Sequence, residues 1–329
     1  MAAVTDTDFD EDDLVEPSRD DEIVDERNDV EYGAVLDPRW PDLVVREPHP
    51  NDESWVYRVR GGADGIDSPA GETILLLHGV GNDGGIWSPI MPSLAELAPV
   101  VAATITPKLL EDESGHRAAT IDPLVEHLLA IAPPPWRLVG HSMGGIVTGL
   151  LLRTVPQLID RAVLLNSPLP DVRRRIKQGD SLDRTGRALL ALKTFSRISS
   201  FGRPRLPQLL RGTELLIVRN ALRGFAVDPG AFDTRVVSRS IMSTRTRDGS
   251  EFLQLAHELP ERIDQPCVAR PVTIVLGDVD PLVPVELVDL IEHLYPEADI
   301  HVLKRCSHFA HLERPHCTMA RVREAFGLG

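Results

Sequence analysis

Short apolar runs, each halted by glycine, proline or a polar cluster, punctuate the chain, and longer stretches of helical spacing lie between them. SWVYRVR (54–60) alternates and is rich in β-formers, which predicts a strand. ETILLLHG (72–79) is apolar without alternation and stops at glycine, the pattern of a strand covered on both faces in a parallel sheet. PVVAATI (99–105), PPPWRLVG (133–140) and RAVLLNSP (161–168) predict three further strands. Between them, ATIDPLVEHLLAI (119–131) has helical spacing with Pro123 near its start, and the apolar stretch from Met143 to Thr154 is a helix closed by Pro156. A second block follows near the C-terminus: a strand over 271–278, a helix over 283–294 with Pro284 near its start, a strand over 298–304 and a closing helix over 315–326. Strands alternating with helices predict an α/β fold, a mostly parallel central sheet with helices on both faces.

More than a hundred residues separate the strand at 161–166 from that at 272–277, far more than one crossover needs. Residues 168–265 are therefore expected to form a mainly helical insertion, with RTGRALLALKTF (184–195), RLPQLLRGTELLIVRNALRGF (205–225) and SEFLQLAHELPERI (250–263) as its best helical stretches. Charge separates the segments further. Residues 1–31 hold 14 Asp/Glu against Arg19 and Arg27, a net of −12 out of −15 for all 329 residues. So dense a like-charge run, with few apolar groups to offset its ordering entropy, reads as a disordered acidic tail. Residues 171–223 hold 13 Lys/Arg against Asp171, Asp180, Asp183 and Glu214, a net of +9. The expected organisation is a tail over 1–31, an α/β core over 32–167 and 266–329, and the insertion over 168–265.

Composition excludes several classes. Aromatics are 5% of residues, which argues against a base-stacking surface for nucleic acid. No apolar run reaches the roughly 18 residues a membrane span needs, and the N-terminus is acidic where a signal peptide is basic and then apolar. A cytoplasmic location is expected. Cys267, Cys306 and Cys317 have neither disulfide density nor CxxC spacing, and the histidines form no HExxH or Cys/His cluster, so neither metal nor cofactor is expected.

The chemistry centres on LVGHSMGG (138–145), where Gly140, Gly144 and Gly145 crowd Ser142 between a predicted strand and a predicted helix. This G-x-S-x-G in a strand–turn–helix setting is the arrangement of a nucleophile elbow. Gly140 and Gly144 let backbones pass closely at the sharp turn. The helix starting near Met143 brings unpaired N–H groups and a positive dipole end beside the hydroxyl, where they can stabilise an oxyanion.

With LLLHGVGNDGGIW (75–87), in which a strand ends in His78-Gly79, the chain resembles the α/β-hydrolase fold superfamily from about residue 40 to the end. The resemblance implies an oxyanion hole made by the backbone N–H groups of Val80 and Met143. SGHR (114–117) loosely matches a glycine-rich turn of that family. In VLGDVDPLVP (275–284) the family's G-x-x-D pattern selects Asp280 as the acid, with Asp278 as the alternative. The family's other acid position, after the strand at 161–166, is filled by Asn166 and Ser167. In RCSHFAHLERP (305–315) the pattern G-H-x-x-x-x-E selects His308 with Glu313, although Ser307 stands where glycine is usual; His311 reads as packed or exposed on the following helix. Ser142, Asp280 and His308 occur in the order Ser…Asp…His of this fold.

These residues imply a serine hydrolase that cleaves a carboxylic ester or thioester through an acyl-enzyme, without cofactor. The alternatives are a non-hydrolytic enzyme on the same scaffold (a perhydrolase or cyclase), a carbon–carbon bond hydrolase, or a catalytically silent ligand-binding member. The insertion is expected to act as a cap, with Leu206, Leu209, Leu210, Leu215 and Ile217 lining either an acyl pocket or the cap's own core. Its basic charge suits an anionic acyl donor, an acyl-CoA or an acyl carrier protein, or an anionic lipid surface; alternatively it is a solvated helical face, or the acidic tail covers it.

Overall fold

A computed structural model describes residues 40–51, 54–60, 73–80, 82–96, 98–111, 120–167, 223–230, 232–233, 236 and 261–328. The acidic tail, SGHR (114–117), the candidate pocket leucines and the greater part of the insertion lie outside these residues. All described residues belong to one compact unit, Glu31–Gly329.

The strands are β1 (Val44–Pro48), β2 (Trp55–Val59), β3 (Ile74–Leu77), β4 (Val100–Ala103), β5 (Trp136–His141), β6 (Ile159–Leu165), β7 (Val272–Gly277) and β8 (Asp299–Leu303). They form one eight-stranded sheet in the order β1-β2-β4-β3-β5-β6-β7-β8. The pairs β1–β2 and β2–β4 are antiparallel, and every pair from β4 through β3 to β8 is parallel. Among the described residues, the helices are α1 (Trp40–Leu43), α2 (Met91–Ala95), α3 (Asp122–Leu129), α4 (Met143–Thr154), α5 (Val288–Leu294), α6 (Ala310–Glu313) and α7 (Pro315–Phe326).

Helices cover both faces, and the unbroken apolar runs are the reason. In β3, Leu75 and Leu77 point into one core with Leu138, Leu124, Leu128, Val147, Leu150 and Ile291. Ile74 and Leu76 point into the opposite core with Val139, Met91, Leu94, Met319 and Val322. Successive side chains of a strand face opposite ways, so a strand buried on both sides has no polar position to spare. Each buried side chain of this kind contributes about 1.5–3 kcal/mol. Thus α3, α4 and α5 lie on one face, and α2 and α7 on the other.

The expected elements of the α/β core are present with shifted ends. The helix expected over 283–294 begins as a 3-10 turn, Val285–Leu287, before α5. At the described ends of the insertion, 223–225 is turn and Glu261–Asp264 is 3-10 helix, where helix was expected. Strand β1 was not expected from the pattern. Only Val44 of its five residues is buried, because it is an edge strand with one side on the sheet rim. Among the described residues, no helix is long and apolar enough to cross a membrane.

Candidate active site

The register aligns Leu77 of β3 with Gly140 of β5, and Gly140 with Leu164 of β6. The carboxyl ends of the central strands therefore meet along one rim, the side on which open parallel sheets gather ligands. Ser142 sits there between β5 and α4, at φ 53° and ψ −119°. That is a left-handed, strained conformation for a residue with a Cβ, and it lifts the side chain off the strand. The turn closes because neighbours are glycine: a Cβ on Gly144 would run into the carbonyl of Leu77, and one on Gly140 into the carbonyl of Gly144. The Ser142 N–H donates to the Leu165 carbonyl at 2.9 Å, which anchors the turn to β6.

Two loops bring the partners. The Ser142 hydroxyl donates to His308 Nε2 at 2.9 Å, and His308 Nδ1–H donates to Asp280 Oδ2 at 2.9 Å. Asp280 Oδ1 accepts from the N–H groups of Leu282 (2.8 Å) and Val283 (3.2 Å). All three side chains are buried. Asp278, the other acid after β7, instead accepts from the Cys306 N–H at 3.1 Å and pins the loop that leads to His308.

His78 and Gly79 hold the loop after β3 beside the serine. The Ile105 N–H donates to His78 Nε2 at 2.9 Å, so Nδ1 carries the proton and donates to the Gly79 carbonyl at 2.8 Å. A Cβ on Gly79 would stand 2.9 Å from the Ser142 Cβ, so the backbone passes directly over the hydroxyl-bearing carbon. Val80 follows immediately. The Met143 N–H is the first of α4 and has no carbonyl one turn earlier to bond.

Other side chains acquire a place only in three dimensions. Glu313 is buried; its Oε2 accepts from Val227 N (2.7 Å) and Ser307 N (3.3 Å), and its Oε1 from Phe309 N (3.0 Å). Burial pushes its carboxyl above the usual range, and the three N–H donors partly offset this. The His308 N–H donates to the Phe225 carbonyl at 3.0 Å, so the segment at 225–227 is bonded both to His308 and, through Val227, to Glu313 of α6. His141, inside the elbow motif, donates Nε2–H to the His308 carbonyl at 2.7 Å, and burial lowers its pKa well below the ordinary value. His311 is fully buried, 4.5 Å from the Trp87 ring and 4.6 Å from that of His141, with its pKa pushed down to about 3 by burial and then by His308. His141 and Glu313 were visible inside motifs, but nothing in their spacing told what they would touch. Asn166, directly after β6, also reaches Asp280. Among the described residues, no group of three or more His, Cys, Asp or Glu is arranged to hold a metal ion.

The profile of a family described as the alpha/beta hydrolase family matches residues 74–322. A pimeloyl-[acyl-carrier protein] methyl ester esterase of Aeromonas hydrophila is 24% identical over 254 residues, covering 74% of this chain and 91% of that protein. A polyneuridine aldehyde esterase of Rauvolfia serpentina is 33% identical over 105 residues, 30% of this chain and 39% of the relative. Among solved structures, a 2-hydroxy-6-oxo-6-phenylhexa-2,4-dienoate hydrolase from Rhodococcus sp. superposes with a TM-score of 0.57 at 22% identity, covering 86% of this chain and 99% of the other. That likeness is one of fold.

Proposed function

Because this chain belongs to the alpha/beta hydrolase family and is an enzyme of that class, we propose that it cleaves a carboxylic ester or thioester with Ser142 as nucleophile, His308 as base and Asp280 as the acid behind it. The observation that carries this reading is the unbroken pair of 2.9 Å hydrogen bonds from Ser142 through His308 to Asp280, buried at the rim of the sheet.

A serine hydroxyl attacks poorly until a base takes its proton. As Ser142 Oγ bonds to the substrate carbonyl carbon, His308 Nε2 takes the hydroxyl proton and the carbonyl electron pair moves onto oxygen. The N–H groups of Val80 and Met143 receive that oxyanion, aided by the positive end of α4. Asp280, held in place by N–H donors on its other oxygen, stabilises the imidazolium. Collapse expels the alcohol or thiol, which takes the proton from His308 and leaves an acyl-serine. Water then attacks by the same route, with His308 as base and then acid.

We assign residues 168–265 to a cap over this site and residues 1–31 to an acidic tail. The net +9 of 171–223 favours an anionic acyl donor. An ester borne on an acyl carrier protein is consistent with the name of the Aeromonas relative.

The test is a panel of p-nitrophenyl esters of increasing chain length alongside acyl-CoAs, at low and high salt, with a fluorophosphonate probe. We expect Ser142→Ala to abolish probe labelling and to lower kcat by several orders of magnitude. We also expect kcat/KM to fall with salt for acyl-CoAs and not for neutral esters. Full turnover by Ser142→Ala overturns the nucleophile; equal salt response of both substrate types overturns the anionic donor.

A further inference from the structure

Asn166 directly follows β6 at φ 45°, fully buried, with its N–H donating to the Val275 carbonyl at 2.9 Å. Asparagine tolerates a left-handed turn better than most residues, which is one sufficient reason for its presence. Its side chain supplies a second. Nδ2 donates to Asp280 Oδ2 at 2.9 Å and to the Ser307 carbonyl at 3.0 Å. Both partners are acceptors, so the amide group can present only its NH2 there; turned over, it would set oxygen against oxygen.

The two acceptors control the two ends of one side chain. Asp280 Oδ2 is the oxygen that His308 Nδ1–H meets. The Ser307 carbonyl belongs to the peptide plane from which His308 springs. The Asn166 amide thus ties the tip of the imidazole, through the carboxylate, to its root, through the peptide. It also occupies the last acceptor direction of Asp280: Leu282 N and Val283 N occupy Oδ1, and His308 and Asn166 share Oδ2. A carboxylate held by four donors cannot rotate or change which oxygen faces the imidazole without losing bonds in a site where lost bonds are expensive.

We propose that Asn166 is a positioning residue for the hydrolytic reaction: its amide locks Asp280 and the His308 loop into one geometry. This rests on the proposed roles of Ser142, Asp280 and His308. It makes the turn preference of Asn166 secondary to its two amide hydrogens, and the two explanations separate cleanly. Glycine accepts φ 45° without cost and has no amide.

The experiment measures kcat and KM on an ester the wild type turns over, for N166G, D280A and N166G/D280A, with thermal denaturation of each. We expect N166G to lower kcat about 10- to 100-fold, the size of one lost hydrogen bond to a charged acceptor, with KM within about twofold. In the D280A background the same change should cost less than about twofold, because groups that act as one unit are not additive. N166A also lacks the amide and adds no ionisable group beside Asp280. It should lose at least as much kcat as N166G, and it carries the comparison if N166G does not fold. Wild-type kcat in N166G or N166A overturns the proposal, as does a loss confined to KM or an equal loss in both backgrounds. D280A with full turnover would instead sink the proposed acid, whereas a crippled D280A beside a silent N166G sinks only the role of Asn166.

Discussion

Removing the Glu313 side chain tests whether the histidine loop is held by one buried carboxylate. Glu313→Ala strips acceptors from three backbone N–H groups, those of Ser307, Phe309 and Val227. Val227 is 43% exposed, so its N–H recovers water at little cost. The other two lie in the loop that carries His308, and Ser307 is buried. A buried donor left unpaired costs about 1–3 kcal/mol, so the pair gives about 2–4 kcal/mol after the relieved burial of a carboxylate is set against it. For a domain of this size each kcal/mol moves Tm by about 2–4 °C, so a fall of roughly 10 °C is expected by scanning calorimetry. Turnover measured well below the new Tm should also drop, because Ser307 and Phe309 flank His308. The pH dependence has a definite sign. Burial raises the folded pKa of Glu313 above its ordinary 4.5, so the native state holds the proton more tightly than the unfolded chain. The stability this contributes is complete below the unfolded value and is lost as pH rises through the folded one. Glu313→Gln does not titrate, so its deficit relative to wild type should be larger near pH 4 than near pH 7. A Tm within 1 °C of wild type together with unchanged turnover would refute the idea that Glu313 holds the loop.

Gly144→Ala should cost at least about 3 kcal/mol in urea unfolding, because its Cβ meets the backbone of Leu77 and His78, which cannot swing aside as a side chain can. A variant as stable as wild type would show that the elbow has slack. His311 gives an acid-sensitivity prediction. Its folded pKa of about 3 lies below the ordinary 6.5, so its contribution is present above 6.5 and is lost as pH falls toward 3, by up to about 4 kcal/mol. His311→Phe should flatten the decline of the urea midpoint between pH 6.5 and 4, and an unchanged slope would mean that His311 does not drive it.

Much of the fold is legible in the sequence because burial on two faces leaves a local mark. Ile74–Leu77 cannot carry a polar residue, and Met143–Thr154 must be apolar around most of its circumference; either constraint can be read in a window of a few residues. The elbow is legible for the same reason: the glycines at 140 and 144 answer to steric demands at their own positions. The edge strand β1 is not, since one exposed side relaxes the pattern and only pairing with β2 defines it.

The sequence by itself therefore determined the layered α/β architecture, the serine turn and the candidate residues after β7 and β8. Tertiary structure decided what those residues meet: that Asp280 rather than Asp278 faces the imidazole, that Glu313 bonds back to the segment at 225–227, and that the Asn166 amide joins the acid to the peptide before His308. The physical reason is range. Strand and helix propensity, turn sterics and burial act within a few residues, whereas a hydrogen bond between positions 166 and 280 exists only after the sheet has set β6 beside β7.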